Sequence, residues 1–156
     1  MDNYGKKFEK KFELDFLKSM PNSTIDRIYD SVSGYKSISN VCDFIGYKEP
    51  HIYYIECKSH KGISFPFSNL TQYDKLKEKV GIPGVRAGVV LWLYEHDKVL
   101  YVPISTVTSI KNDGIKSVSL TMLKKNKYNI IEIPSIKKRV YMDSDYSILQ
   151  NLKDGE

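Results

Sequence analysis

Aromatic residues recur at every fourth position near the start of the chain, at Tyr4, Phe8, Phe12 and Phe16, and Pro21 follows. This period predicts a helix over 4–19 that buries one ring-bearing face. Strand composition then predicts a short strand over 26–30, a Ser- and Gly-rich link over 31–40, and two strands over 41–47 and 52–59. Lys48, Glu49, Pro50 and His51 supply the turn between the last two, so they form a β-hairpin. After a loop over 62–67, Ser68 is the expected N-cap of a second helix whose stripe is Leu70, Tyr73, Leu76 and Val80, with Gly81 as its stop. Further strands are expected over 88–94 and 99–102 around a turn at 95–98. Beyond them, short apolar pieces over 117–123, 129–133 and 139–142 alternate with Lys-rich segments, and 144–152 suits a terminal helix.

Length bounds this pattern to one domain over 1–156, since 156 residues enclose one core but not two. No apolar run approaches the roughly 20 residues that span a bilayer, so no membrane partner is expected. The basic N-terminal stretch lacks an apolar segment after it, which leaves a cytoplasmic location as the expectation. Cys42 and Cys57 are the two cysteines, without the spacing of a zinc site, and both are expected as free thiols. Twenty-four Lys and Arg against 19 Asp and Glu give a net charge of +5, which favours a polyanionic partner.

The hairpin carries the candidate chemistry. Asp43 stands on its first strand and Ile55-Glu56-Cys57-Lys58 on its second. Alternate strand residues share a face, so Glu56 and Lys58 project together while Ile55 and Cys57 point the other way. Three charges among Ile, Tyr, Val and Phe carry a desolvation cost unless they pair or meet a cation. Two carboxylates on adjacent strands suit a hard divalent ion, foremost Mg²⁺, with the Cys57 backbone carbonyl as a further ligand. Such an ion polarises a phosphate and acidifies a bound water, and Lys58 is placed to orient that water or stabilise the charge that develops.

Two further residues join this set. Projected at about 100° per residue, Glu9 falls between Phe16 and Met20 on the buried arc of the first helix, where it is expected to face a metal-water cluster or pair with Lys58. Gln72 lies just outside the stripe of the second helix, where it can reach a phosphate or water. The basic clusters Lys6-Lys7, Lys10-Lys11, Lys75-Lys77-Lys79, Lys124-Lys125-Lys127 and Lys137-Lys138-Arg139 supply phosphate contacts if the fold brings them to the site.

Gly5-x-x-Phe8-Glu9, Cys42-Asp43-Phe44-Ile45-Gly46, Tyr54-Ile55-Glu56-Cys57-Lys58, Ile63-Ser64-Phe65-Pro66-Phe67 and Gln72 resemble, in order and spacing, the RecU family of Holliday junction resolvases, within the PD-(D/E)xK nucleases. The resemblance covers roughly residues 4–100. It implies an α/β restriction-endonuclease-like core, a central mixed β-sheet flanked by helices. It also implies a homodimer that uses Mg²⁺, with Mn²⁺ as a substitute, to nick two opposed DNA strands. By position, Asp43 and Glu56 resemble the family's metal ligands, Lys58 its catalytic lysine, and Glu9 and Gln72 its supporting residues. Two departures stand out: Tyr4 replaces an Arg before the first Gly, and only about a dozen residues fill the interval where the family carries a long stalk. A restriction- or repair-type nuclease on duplex or flap DNA, and a non-catalytic DNA-binding protein of this fold, are the alternatives.

Overall fold

The computed structural model describes residues 3–29, 40–153 and 155–156. The expected first helix is α1 (Tyr4–Ser19), capped by the Asn3 side chain, which accepts from the Lys6 N–H at 3.1 Å. Its Phe8, Phe12 and Phe16 are buried, as their spacing requires. Three strands follow: β1 (Thr24–Arg27), β2 (Phe44–Lys48) and β3 (His51–His60). The first starts two residues earlier than its composition suggests and ends at Arg27. The link expected over 31–40 lies, except for Asn40, outside the described residues.

β2 pairs antiparallel with both β1 and β3, and a two-residue turn separates β2 from β3, so the hairpin is present. Its first strand begins at Phe44 and not at 41. β3 by contrast runs on to His60, so its last five residues extend past the end of β2. β2 therefore offers no paired residue to Glu56, Cys57 and Lys58.

β4 (Ser64–Pro66), a 3-10 turn at Phe67–Asn69 and α2 (Tyr73–Lys77) lead across to β5 (Val85–Leu93), which pairs parallel with β3. The single long helix expected from Ser68 is not formed. The Phe67 N–H donates to Lys116 O at 2.9 Å and the Leu70 N–H closes back on Phe67 O at 3.0 Å, which locks a tight turn before the helix starts. Gln72, not Ser68, is its N-cap. β6 (Lys98–Pro103) returns antiparallel along β5.

α3 (Ile104–Asn112) follows at once, an element its sequence hides behind β-branched residues. The Lys-rich end resolves into β7 (Ser117–Ser119), α4 (Thr121–Lys125), β8 (Ile131–Glu132), and a hairpin of β9 (Ser135–Lys137) and β10 (Met142–Ser144). β10 shares only Met142 with the expected 139–142 piece, and the terminal helix is a 3-10 segment, Tyr146–Asn151. No helix among the described residues is long and apolar enough to cross a membrane.

The main sheet has the order β1-β2-β3-β5-β6-β8 and is mixed, with β3 and β5 its parallel pair. Alternation divides its side chains into two cores. Phe44, Tyr53, Ile55, Cys57, Val90 and Trp92 meet α1 and the terminal 3-10 segment on one face. Val89, Leu91, Leu93, Leu100 and Val102 meet Leu76, Ile104, Val107 and Ile110 of α2 and α3 on the other. Gly46 shows how closely α1 docks, because a Cβ there would lie 2.8 Å from the Phe16 ring. Gly46→Ala is therefore expected to cost about 1–3 kcal/mol, as overpacking does, read as a lower urea midpoint with an unchanged slope. A variant as stable as the parent would show that α1 gives way freely.

Candidate active site

Continuing the hairpin register by one step beyond Phe44↔Ile55 sets Asp43 opposite Glu56. The reason Asp43 stays at this corner is local. With β2 ended, the Cys57 N–H on that edge has no strand carbonyl, and Asp43 Oδ2 accepts it at 2.9 Å. The Ile28 N–H donates to Asp43 O at 2.8 Å, fixing the backbone from the β1 side.

Glu56 is 2% exposed, and its Oε2 has no hydrogen-bond partner. Lys58 Nζ lies 3.9 Å from its other oxygen and is partly open to solvent. Burial first, then the adjacent Asp43 carboxyl, pushes Glu56 up to about 10, against the pull of Lys58. Two carboxyl groups are thus held together with too little positive charge around them. Hard oxygen donors in that condition are the set that a small divalent cation takes.

Glu9 is half-buried and feels the charges of both Asp43 and Lys58, so α1 does bring it to this centre. Its ion pair, however, is with Arg27 and not with Lys58. The pKa of Glu9 is raised, by burial and then by Asp43, while Arg27, Lys58 and Lys6 oppose the shift. Gln72 caps α2 with its Oε1 buried and unpartnered, and among the described residues no hydrogen bond ties it to the carboxylates. Among the described residues no three His, Cys, Asp or Glu side chains gather as a metal cage, so the candidate centre offers two side-chain donors.

The thiols stand apart from this chemistry. Cys57 is turned into the α1-side core, and burial holds its pKa well above the usual thiol value. Burial, then the charge of Glu56, pushes Cys42 up to about 12, and its Sγ donates to Phe44 O at 3.1 Å. Only the backbone of Cys57 is available as a ligand.

Arg27 was not singled out by sequence reasoning. It ends β1 beside Phe44, with its guanidinium carbon 5.8 Å from that ring and 5.5 Å from Tyr29. It therefore ties Glu9 of α1 to the strand that carries Asp43. The available signal was its residue type, since the chain has only three Arg, and a planar, always charged fork is the side chain suited to a half-buried carboxylate.

No protein-family model matches the chain, and no curated protein does. Among solved structures, Hjc of Archaeoglobus fulgidus, a Holliday junction resolvase from an archaeal hyperthermophile, superposes with a TM-score of 0.50. The two share 20% sequence identity over 65% of this chain and 78% of that one. The mixed sheet flanked by helices is thus the restriction-endonuclease-like fold of that resolvase.

Proposed function

We propose that this chain, as one domain, is a divalent-metal-dependent endodeoxyribonuclease that resolves four-way DNA junctions by paired nicks, acting as a cytoplasmic homodimer. The observation that carries the reading is the buried, unpartnered Glu56 Oε2 beside Asp43. The fold shared with a junction resolvase supports it. Asp43, Glu56 and the Cys57 carbonyl are the ligands assigned to Mg²⁺, with Mn²⁺ as a substitute, and Mg²⁺ commonly binds through one or two carboxylates with water completing its shell. When bound, the ion supplies Lewis acidity at the phosphate and a more acidic water.

The remaining work falls to side chains. Lys58, partly open to solvent beside Glu56, offers its ammonium to charge developing on the phosphate, or takes the proton of the attacking water in its neutral form. Glu9, held by Arg27, orients water on the α1 side. Gln72 offers its amide to a phosphate or water. Two such centres in a homodimer account for two nicks. The short interval before β2 favours one second reading, a restriction- or repair-type nuclease on duplex or flap DNA, because nothing there has the length of the RecU stalk.

Labelled four-way junction, linear duplex and flap, each incubated with Mg²⁺ or EDTA, decide between them. Symmetric nicks in the junction alone are expected. Cutting of every substrate would favour the second reading, and binding without cutting in Mg²⁺ or Mn²⁺ would leave a DNA-binding module. Arg27→Ala is expected to slow cutting by about 10²–10³-fold, the scale of one misplaced supporting group, with little change in DNA affinity. A matching loss in binding would instead make Arg27 a DNA contact.

A further inference from the structure

Two groups of lysines on this chain differ in what holds them. Around the second half of α1, β8 and the β9–β10 hairpin one group is neutralised by carboxylates. Lys11 Nζ is 2.8 Å from Asp15 and 2.7 Å from Asp143, Lys98 is 2.6 Å from Glu132, Lys138 is 3.7 Å from Asp143, and Lys137 pairs with Asp97. A groove on that side is lined by Asp15, Asp97, Glu132, Asp143 and Asp145 together with Lys18 and Lys98, so its lysines already have carboxylates beside them.

On the opposite face of the sheet Lys79 and Lys111 instead rest on tyrosine rings, whereas Lys127 there pairs with Asp113. Lys111 Nζ, from the last turn of α3, lies 4.0 Å from the Tyr73 centroid, and Lys79, just after α2, lies 5.1 Å from that of Tyr54. Among the described residues neither makes an ion pair, and the exposed Asp74 and Glu78 nearby pair with neither. A ring orders an ammonium group without cancelling its charge, which leaves the full charge for an anion. The Tyr73 hydroxyl is itself held by Thr108 Oγ1 at 2.7 Å, so that platform is fixed.

The register places these pairs usefully. Tyr54, Glu56 and Lys58 occupy alternate positions on β3 and share the α2 and α3 side, so Tyr54 stands about 7 Å along the strand from Glu56. We propose that the Tyr54–Lys79 and Tyr73–Lys111 pairs form a phosphate-contact track that leads a DNA arm into the Asp43–Glu56–Lys58 centre. The track rests on the nuclease reading above. It assigns backbone contacts and no base reading, so its effect is the same for any sequence.

The test is fluorescence anisotropy of labelled junction and duplex in EDTA across a range of NaCl. Lys79→Gln with Lys111→Gln is compared with Lys98→Gln with Lys137→Gln. Each phosphate contact contributes about 0.9 to the slope of log affinity against log salt, so the first pair is expected to lower the slope by about 2. Affinity at 0.1 M salt then falls roughly tenfold per lysine. The second pair should leave both unchanged. An unchanged slope in the first pair, or an equal loss in the second, would overturn the track. A parent that binds no DNA would remove track and nuclease together. Cutting that survives Glu56→Gln, with the slope loss still present, would remove the assigned centre and leave the track standing.

Discussion

Glu56→Gln is expected to stop DNA cleavage while making the folded chain more stable in EDTA. The loss of turnover should be at least about 10³-fold, the scale at which one group that stabilises transition-state charge is missed, and Asp43→Asn should match it. DNA binding should persist in both, since neither removes a positive charge. The stability gain has a separate cause. Glu56 is pushed up to about 10 in the folded chain, so between its ordinary value and that point the folded state keeps a proton that the unfolded state has released. Stability in EDTA is therefore full below about pH 4.5 and falls as pH rises, at a slope approaching ~1.4 kcal/mol per pH unit. Gln, neutral throughout, removes that dependence, for a gain on the order of 3–5 kcal/mol at pH 7–8. Urea unfolding from pH 5 to 9 measures it, and Mg²⁺ should flatten the parental curve but not that of the variant. Equal pH slopes in the two proteins would show that Glu56 folds ionised, and undiminished cutting would place the chemistry elsewhere.

That opposition between stability and function is also why the centre was legible before the fold was. A carboxylate on an apolar strand breaks the local pattern, and Glu9 breaks it again among the Phe residues of α1, so both violations marked a place where chemistry outranks packing. α1 and the hairpin followed from periodicity because their burial is one-sided. α3 did not: Ile104, Val107 and Ile110 lie at helical spacing, but Thr106, Thr108 and the branched residues around them favour a strand, and only docking against the sheet settles the outcome. The start of the second helix is hidden for a similar reason, since the Phe67 N–H donates to the carbonyl of Lys116, nearly fifty residues away. Arg27 escaped because its partner is set by β1 lying beside β2, and pairing between distant segments leaves no period to read. The parallel contact of β3 with β5, which seats Glu56 beside Val89, is non-local in the same way.

The largest structural effect is expected at the seam behind that contact, from Gly88→Ala. Gly88 pairs with Ile55 of β3 on one side and with Pro103 of β6 on the other. A Cβ there would lie 2.3 Å from Tyr101 Cε2 and 2.5 Å from its hydroxyl oxygen, well inside any tolerated approach. Tyr101 has no room to yield, being fully buried, and its hydroxyl donates to Glu156 O at 2.8 Å. Either the ring leaves its pocket and loses that hydrogen bond, or β5 shifts and carries β3 with it. The cost should be about 3 kcal/mol or more, a large share of a total near 5–15 kcal/mol for a domain of this size. If β5 is what moves, Glu56 is displaced from Asp43 and cutting falls below what the folded fraction explains. Tyr101→Leu, which vacates the contact, separates the possibilities. In a double-mutant cycle by urea unfolding, Gly88→Ala should cost far less in the Tyr101→Leu background than alone, a coupling of about 1–3 kcal/mol. Simple additivity would mean that the ring is not what Gly88 accommodates.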